Sequence, residues 1–158
     1  VKRDKKIYKL NHFINTGFGL TMKNNLNVWG IHPCTNDFFM KDNVTTNLKY
    51  IPAGFFGWIV DKNKYCIHTQ YDHLEDYAFS CEAFLRDSGV VRFNNYSMKT
   101  TNFAEGGINE TYGGKKYRLL ATRKLCNEFF SQYGDMCRIV KKKNYFNIIL
   151  NHHYKEKN

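Results

Sequence analysis

Apolar residues recur at helical spacing in two segments of this chain. The first segment follows Asp72, a suitable N-cap residue, and predicts a helix over about residues 72–87. Its apolar positions are Leu74, Tyr77, Ala78, Cys81, Phe84 and Leu85, and the positions expected to face solvent are Glu75, Asp76, Glu82, Arg86 and Asp87. The second segment stops before Gly134 and predicts a helix over about 115–133. Its apolar positions are Leu119, Leu120, Cys126, Phe129, Phe130 and Tyr133.

Short apolar runs bounded by turn residues predict strands elsewhere in the chain. Residues 58–70 predict a hairpin with a polar turn at its centre, and residues 90–93 predict a single strand. A polar stretch rich in Asn, Thr and Gly follows at about 94–114, and we expect it to be a long loop. Residues 136–140 and 145–150 predict a terminal hairpin that turns through a basic segment.

This order of elements predicts an α+β fold. The sheet is expected to be mostly antiparallel and built from hairpins, with the two main helices packed on it. Glycine and proline interrupt the first 56 residues, for which we expect only short strands and loops. We expect residues 1–158 to form a single domain.

Composition supports a folded binding protein without a membrane segment. Hydrophobic residues make up 42% of the 158 residues and aromatic residues 16%, which is far too much for a disordered chain. No stretch approaches the roughly 20 apolar residues of a membrane-spanning helix. The five cysteines are an odd number, which favours free thiols in a reducing compartment, so we expect a cytoplasmic protein. No cofactor is predicted, because no cofactor-binding motif is present.

Positive charge is concentrated at the two ends of the chain. The formal net charge is +10, of which residues 111–158 contribute +8 and residues 1–9 contribute +4, whereas residues 61–110 carry −3. Such a surface attracts phosphates and acidic proteins. The expected partners are therefore a host protein with an acidic surface or, alternatively, DNA or RNA; a homodimer is also compatible with the sequence.

Two basic segments carry the candidate binding residues. A glycine-rich stretch precedes the second helix, whose first turns hold cations suited to a phosphate, although the spacing is not that of a P-loop. The terminal segment interleaves cations with aromatic residues, as single-stranded nucleic-acid sites do. A solvated loop and a soluble hairpin tip explain the same residues equally well. The candidates are Lys115, Lys116, Arg118, Arg123, Lys124, Arg138, Lys141, Lys142, Lys143 and Tyr145.

Histidine and cysteine offer two further sites, for which we favour structural interpretations. The pairs His32 with Cys34 and Cys66 with His68 each place a thiol and an imidazole two residues apart, on one side of a strand, where both could bind zinc. A core cysteine beside a surface histidine is the simpler interpretation. His68 and His73 lie near carboxylates and are the candidates for acid and base catalysis.

Three classes of function remain open. The first is a small noncatalytic binding protein, a virus- or phage-encoded modulator or inhibitor that docks on a host enzyme such as a protease, nuclease or defence factor. The counts of 18 Asn and 18 Lys against 5 Ala suggest AT-rich coding, which is common in bacteriophages, some low-GC bacteria and some protozoa. The second is a nonspecific DNA- or RNA-binding protein that uses the basic C-terminal third. The third is a small histidine-dependent nuclease or phosphoesterase.

Overall fold

The computed structural model describes residues 7, 9–60, 71, 73–99, 108–143 and 145–155, without the side chains of Ile108, Asn109 and Lys115. The helices in chain order are α1 (Leu10–Lys23), α2 (Glu75–Asp87), α3 (Ile108–Thr111) and α4 (Lys115–Tyr133). The strands are β1 (Val28–His32), β2 (Val44–Thr45), β3 (Phe56–Trp58), β4 (Val91–Ser97), β5 (Cys137–Lys141) and β6 (Phe146–Leu150). A single 3-10 turn, Gly134–Met136, joins α4 to β5.

The strands form a four-stranded sheet and a separate two-stranded sheet. The larger sheet has the order β2-β4-β1-β3, and the smaller one is the β5–β6 hairpin. β1 pairs with β3 and β2 pairs with β4 in antiparallel fashion, but β1 and β4 run parallel. The α+β class is therefore confirmed, with one parallel pair at the centre of the larger sheet.

Side chains alternate between the two faces of the larger sheet because successive strand residues point in opposite directions. On one face, Trp29 and Phe93 pack around Phe13 of α1. On the other face, Val28 and Val90 pack against α2. The first half of the molecule is thus a three-layer arrangement with the sheet between α1 and α2.

The second half is built from α4 and the terminal hairpin, which share a core with α2. Buried residues of this core include Cys81 and Phe84 of α2, Cys126 and Phe129 of α4, and Ile148 of β6. The predicted bounds of the second helix and the predicted terminal hairpin are confirmed. At 19 residues α4 is the longest helix in the described ranges, and none of the helices described there is both long and apolar enough to cross a bilayer.

The prediction for the first 56 residues was wrong over α1. This helix of 14 residues contains Gly17 and Gly19, which suggested loops in the sequence. Gly17 serves a packing role instead, because a Cβ at this position would lie 2.5 Å from Cδ2 of Trp29. The glycine lets α1 approach the sheet closely.

Helix α2 begins later and is less exposed than predicted. Its first residue is Glu75, preceded by Leu74 with a left-handed φ of 79°, and Asp72 lies outside the described residues. Two carboxylates expected to face solvent bind tyrosine hydroxyls instead. Asp76 accepts a hydrogen bond from Tyr50, and Glu82 accepts one from Tyr133 at 2.9 Å. These contacts attach α2 to neighbouring parts of the chain.

The polar stretch predicted as a loop over 94–114 contains regular structure at both ends. β4 continues through Ser97, which pairs with His32 of β1. Asn94 also donates side-chain hydrogen bonds to Asn43 and Thr45, the latter on neighbouring β2. At the other end, residues 108–111 form α3. Residues 100–107 lie outside the described part, as does the second strand of the hairpin predicted over 58–70.

Candidate anion-binding cleft

A cleft of about 640 Å³ opens between the first half of α4 and the turn of the β5–β6 hairpin. The helix supplies residues from its first three turns, and these lie on one face because they are three or four positions apart. The hairpin supplies the residues around its turn. The lining residues are Lys116, Leu119, Leu120, Arg123, Lys141, Lys142, Lys143, Tyr145 and Phe146.

The register of the hairpin explains why the cleft lies at its turn. Ile139 pairs with Ile148, and this apolar pair packs in the core that the second half of α4 covers. Lys141 pairs with Phe146 on the same face of the hairpin, nearest the turn. The hairpin therefore changes from an apolar to a basic surface where the cleft begins.

The floor of the cleft is apolar and its edge is cationic. The guanidinium carbon of Arg123 lies 5.3 Å from the centroid of the Phe146 ring, within cation–π distance. Leu120 is a large apolar side chain that stays 63% exposed. Among the described lining residues five are cations and none is a carboxylate. Such a surface favours a ligand that combines negative charge with an apolar or aromatic part.

The hairpin turn holds three consecutive lysines in the cleft. The backbone N–H of Lys142 donates a hydrogen bond to the carbonyl oxygen of Tyr145 at 2.7 Å, which closes the turn. Lys141, Lys142 and Lys143 are exposed, and the Tyr145 side chain is 37% exposed. The turn thus presents ammonium groups beside an accessible aromatic ring.

Six of the ten predicted binding residues meet in this cleft: Lys116, Arg123, Lys141, Lys142, Lys143 and Tyr145. The other four do not line it. Arg118 lies close enough to Glu75 of α2 to oppose the burial that raises the pKa of that carboxyl. Lys124 forms an ion pair with Glu128 at 3.6 Å, Arg138 is exposed on β5, and the Lys115 side chain is not described.

Of the two predicted catalytic histidines, the structure describes His73 and not His68. His68 lies outside the described residues. His73 is 6% exposed, with Nδ1 at 3.1 Å from the Tyr112 hydroxyl and Nε2 at 2.8 Å from Oγ1 of Thr122. The Thr122 hydroxyl donates to the Arg118 carbonyl, so it accepts from Nε2–H of His73. This arrangement links the start of α2 to α4.

The predicted zinc ligands are described only in part, because Cys66 and His68 fall outside the described residues. His32 is buried, and its Nδ1 lies 2.9 Å from the Cys34 carbonyl oxygen, whereas Cys34 is half-buried and its sulfur accepts from the Asn36 N–H. For this described pair, the expectation of a core cysteine beside a surface histidine is wrong, because the histidine is the more buried of the two. Within the described ranges no group of three or more His, Cys, Asp and Glu side chains is arranged to hold a metal ion.

The sequence missed the apolar part of the cleft. Leu119 and Leu120 were assigned to the core-facing side of the second helix, and Phe146 to the hairpin. The signal was present in the spacing, because these leucines share a helix face with Lys116 and Arg123. The core of the helix lies further along, at Cys126, Phe129 and Tyr133.

The chain matches no known protein-family model, no curated protein and no solved structure.

Proposed function

We propose that this protein is a noncatalytic binding protein that holds single-stranded DNA or RNA in the cleft between α4 and the hairpin turn. One observation carries the proposal. Five cations and an exposed tyrosine from two separate segments of the chain line one cleft with an apolar floor. Single-stranded nucleic acid has the matching chemistry of phosphates alternating with flat bases.

The two parts of the cleft have separate roles in this proposal. The lysines of the turn neutralise phosphates, and because they are flexible point charges they follow the backbone without reading sequence. The Tyr145 ring stacks on a base, a contact that every base can make. Binding is therefore strong at low salt and nearly independent of sequence.

Docking on an acidic host protein, as a virus-encoded modulator or inhibitor, stays a prediction that uses the same cations. The exposed aromatic ring beside the lysines favours nucleic acid over that role. The cytoplasmic location also stays a prediction. It is in keeping with the four cysteines in the described residues, which are all unpaired thiols.

The test is fluorescence anisotropy with labelled oligothymidylate and oligouridylate over a series of salt concentrations. The logarithm of the binding constant falls by about 0.7 per neutralised phosphate for each logarithmic unit of salt, so five cations give a slope of at most about −3.5. Similar affinities for the two oligomers and a slope between about −2 and −3.5 are expected.

The competing prediction gives a different result. If the protein binds neither oligomer at low salt but retains an acidic partner from a host extract after nuclease treatment, the nucleic-acid proposal is wrong. Binding that does not change with salt also contradicts it, because the proposed contacts are ionic.

A further inference from the structure

A second group of cations lies on the α2 side of the larger sheet, and none of its members lines the cleft. Arg92 of β4 is 7% exposed, and its Nε donates to Oδ1 of Asn94 at 2.8 Å. Its Nη1 lies 3.4 Å from the Tyr50 carbonyl oxygen. In the described part of the chain, no carboxylate lies within ion-pairing distance of this guanidinium.

Three more cationic or ionisable side chains lie near enough to Arg92 for its charge to lower their pKa values. Arg92 pairs with Gly30, and His32 lies two residues further along β1, where a shift in register pairs it with Ser97. Lys49 precedes Tyr50, whose carbonyl oxygen Arg92 contacts. His152 follows β6, and its Nδ1 donates to the carbonyl oxygen of Leu48 at 3.1 Å. The site therefore gathers residues from β1, β4, the chain after β2 and the C-terminal segment.

The electrostatic environment shows that these groups act on one another. Burial, together with the charges of Arg92 and Lys41, lowers the pKa of Lys49 to about 8. Burial also lowers the pKa values of His32 and His152, and the neighbouring Arg92 and Lys49 charges act in the same direction. Like charges held together in a partly buried place are unfavourable unless an anion joins them.

Arg92 has donors beyond these two contacts, because a guanidinium carries five N–H groups and the described residues engage Nε and Nη1. None of its nitrogens is among the buried atoms that lack a hydrogen-bond partner in the described residues. A guanidinium presents its donors in a fork that matches an oxyanion with two oxygens. Lys49 supplies a second charge, which fits a dianion better than a single carboxylate.

We propose that Arg92, Lys49, His32 and His152 form an anion site that binds one phosphoryl group. Asn47 donates a hydrogen bond to the His152 carbonyl oxygen at 2.6 Å, so the bound anion would also hold the C-terminal segment against the sheet. The site is independent of the nucleic-acid proposal, because the cleft uses other residues.

The experiment is isothermal titration calorimetry with inorganic phosphate at constant ionic strength, with chloride as the reference salt. Lys49→Met removes an accessible cation and leaves the buried Arg92 in place, so the variant is expected to fold. It should weaken phosphate binding by about tenfold or more, as expected for a lost charge-assisted hydrogen bond. The matched control is Lys23→Met at the end of α1, an exposed lysine that belongs neither to this site nor to the cleft, and it should leave the affinity unchanged.

Sulfate tests the ionisable groups, because it stays a dianion throughout the pH range used. Its affinity should fall as pH rises, first as the histidines lose their protons and again through about 8, where Lys49 loses its proton. His153 and Lys41, the other cations that act on the group, change the size of this dependence and not its direction. His152→Gln should flatten the acidic part of the profile.

Phenyl phosphate distinguishes the source of the phosphoryl group. Competition with inorganic phosphate means that the site takes a phosphate ester, and failure to compete means that it takes the free ion. The proposal is overturned if phosphate produces no more heat than chloride. It is overturned equally if Lys142→Met in the cleft, and not Lys49→Met, abolishes binding, because the phosphate then binds in the cleft.

Discussion

Arg123 of α4 lies over the ring of Phe146 of β6, with 5.3 Å between the guanidinium carbon and the ring centroid. This contact joins the helix to the hairpin at the floor of the cleft. It also places an exposed cation beside a half-buried aromatic ring, so the cleft combines positive charge with an apolar floor.

The first prediction concerns this pair. A cation–π contact at an exposed site contributes about 0.5–1 kcal/mol, so Arg123→Met and Phe146→Leu should show a coupling of that size in a double-mutant cycle. Chemical denaturation of the unaltered protein, both single variants and the double variant gives the coupling. Additive losses of stability would show that the two side chains do not interact.

The second prediction uses two glycines of α1 that differ only in their surroundings. Gly17→Ala should destabilise the protein by about 1–3 kcal/mol, because the new Cβ would overlap the Trp29 ring. Gly19→Ala has no atom within 4 Å of its Cβ, so the gain in helix propensity should stabilise the protein by up to about 1 kcal/mol. Thermal unfolding of both variants checks this, and equal effects of the two changes would refute the packing role of Gly17.

The third prediction concerns Asp76 and pH. Burial raises the pKa of its carboxyl from the ordinary value of 3.8, although the hydrogen bond from Tyr50 partly opposes this. The folded protein therefore favours the protonated acid, and this contribution to stability is lost as pH rises from about 3.8 through the folded-state pKa. The free energy of unfolding should decline less over this range in Asp76→Asn. Glu75, whose pKa burial also raises, retains its contribution in the variant.

Urea denaturation at a series of pH values provides the measurement for Asp76. Parallel profiles for the variant and the unaltered protein would show that the Asp76 carboxyl does not titrate differently in the folded state. A steeper decline in the variant would mean that the carboxylate is stabilised by the fold, opposite to the direction expected.

The sequence predicted α4 and the terminal hairpin well because their signals are local. Helical spacing ends at Gly134, and two short apolar runs flank a basic turn. Both elements keep these bounds because their apolar positions meet each other directly, as Cys126 and Ile148 do in one core. Local pattern and tertiary contact agree in this half of the molecule.

Helix α1 was missed because Gly17 is required by a contact with a residue of another element. Gly17 interrupts the helical signal only until Trp29 is known to lie against it, and the two residues come from different elements. The parallel pairing of β1 with β4 is similar, since it joins strands separated by α2. A local pattern contains no information about such partners.

The basic residues of the candidate site were predicted from the sequence, but their arrangement into a cleft was not. Basic residues were visible in the sequence, but nothing along the chain indicated that Arg123 and Lys141 would face each other while Arg118 turned toward Glu75. Arg92 was not singled out at all, because a lone arginine in an apolar strand shows no pattern until its neighbours in space are known.

Neutralising matched pairs of lysines tests the cleft most directly. Lys142→Gln with Lys143→Gln removes two charges that line the cleft, and Lys124→Gln with Lys155→Gln removes two exposed charges that do not. Anisotropy titrations with a labelled single-stranded oligonucleotide at several salt concentrations compare the two double variants. The first pair should weaken binding and make the salt slope shallower by about 1.4, at about 0.7 per phosphate contact, while the second pair leaves the slope unchanged. Equal effects of the two pairs would contradict the cleft as the binding site.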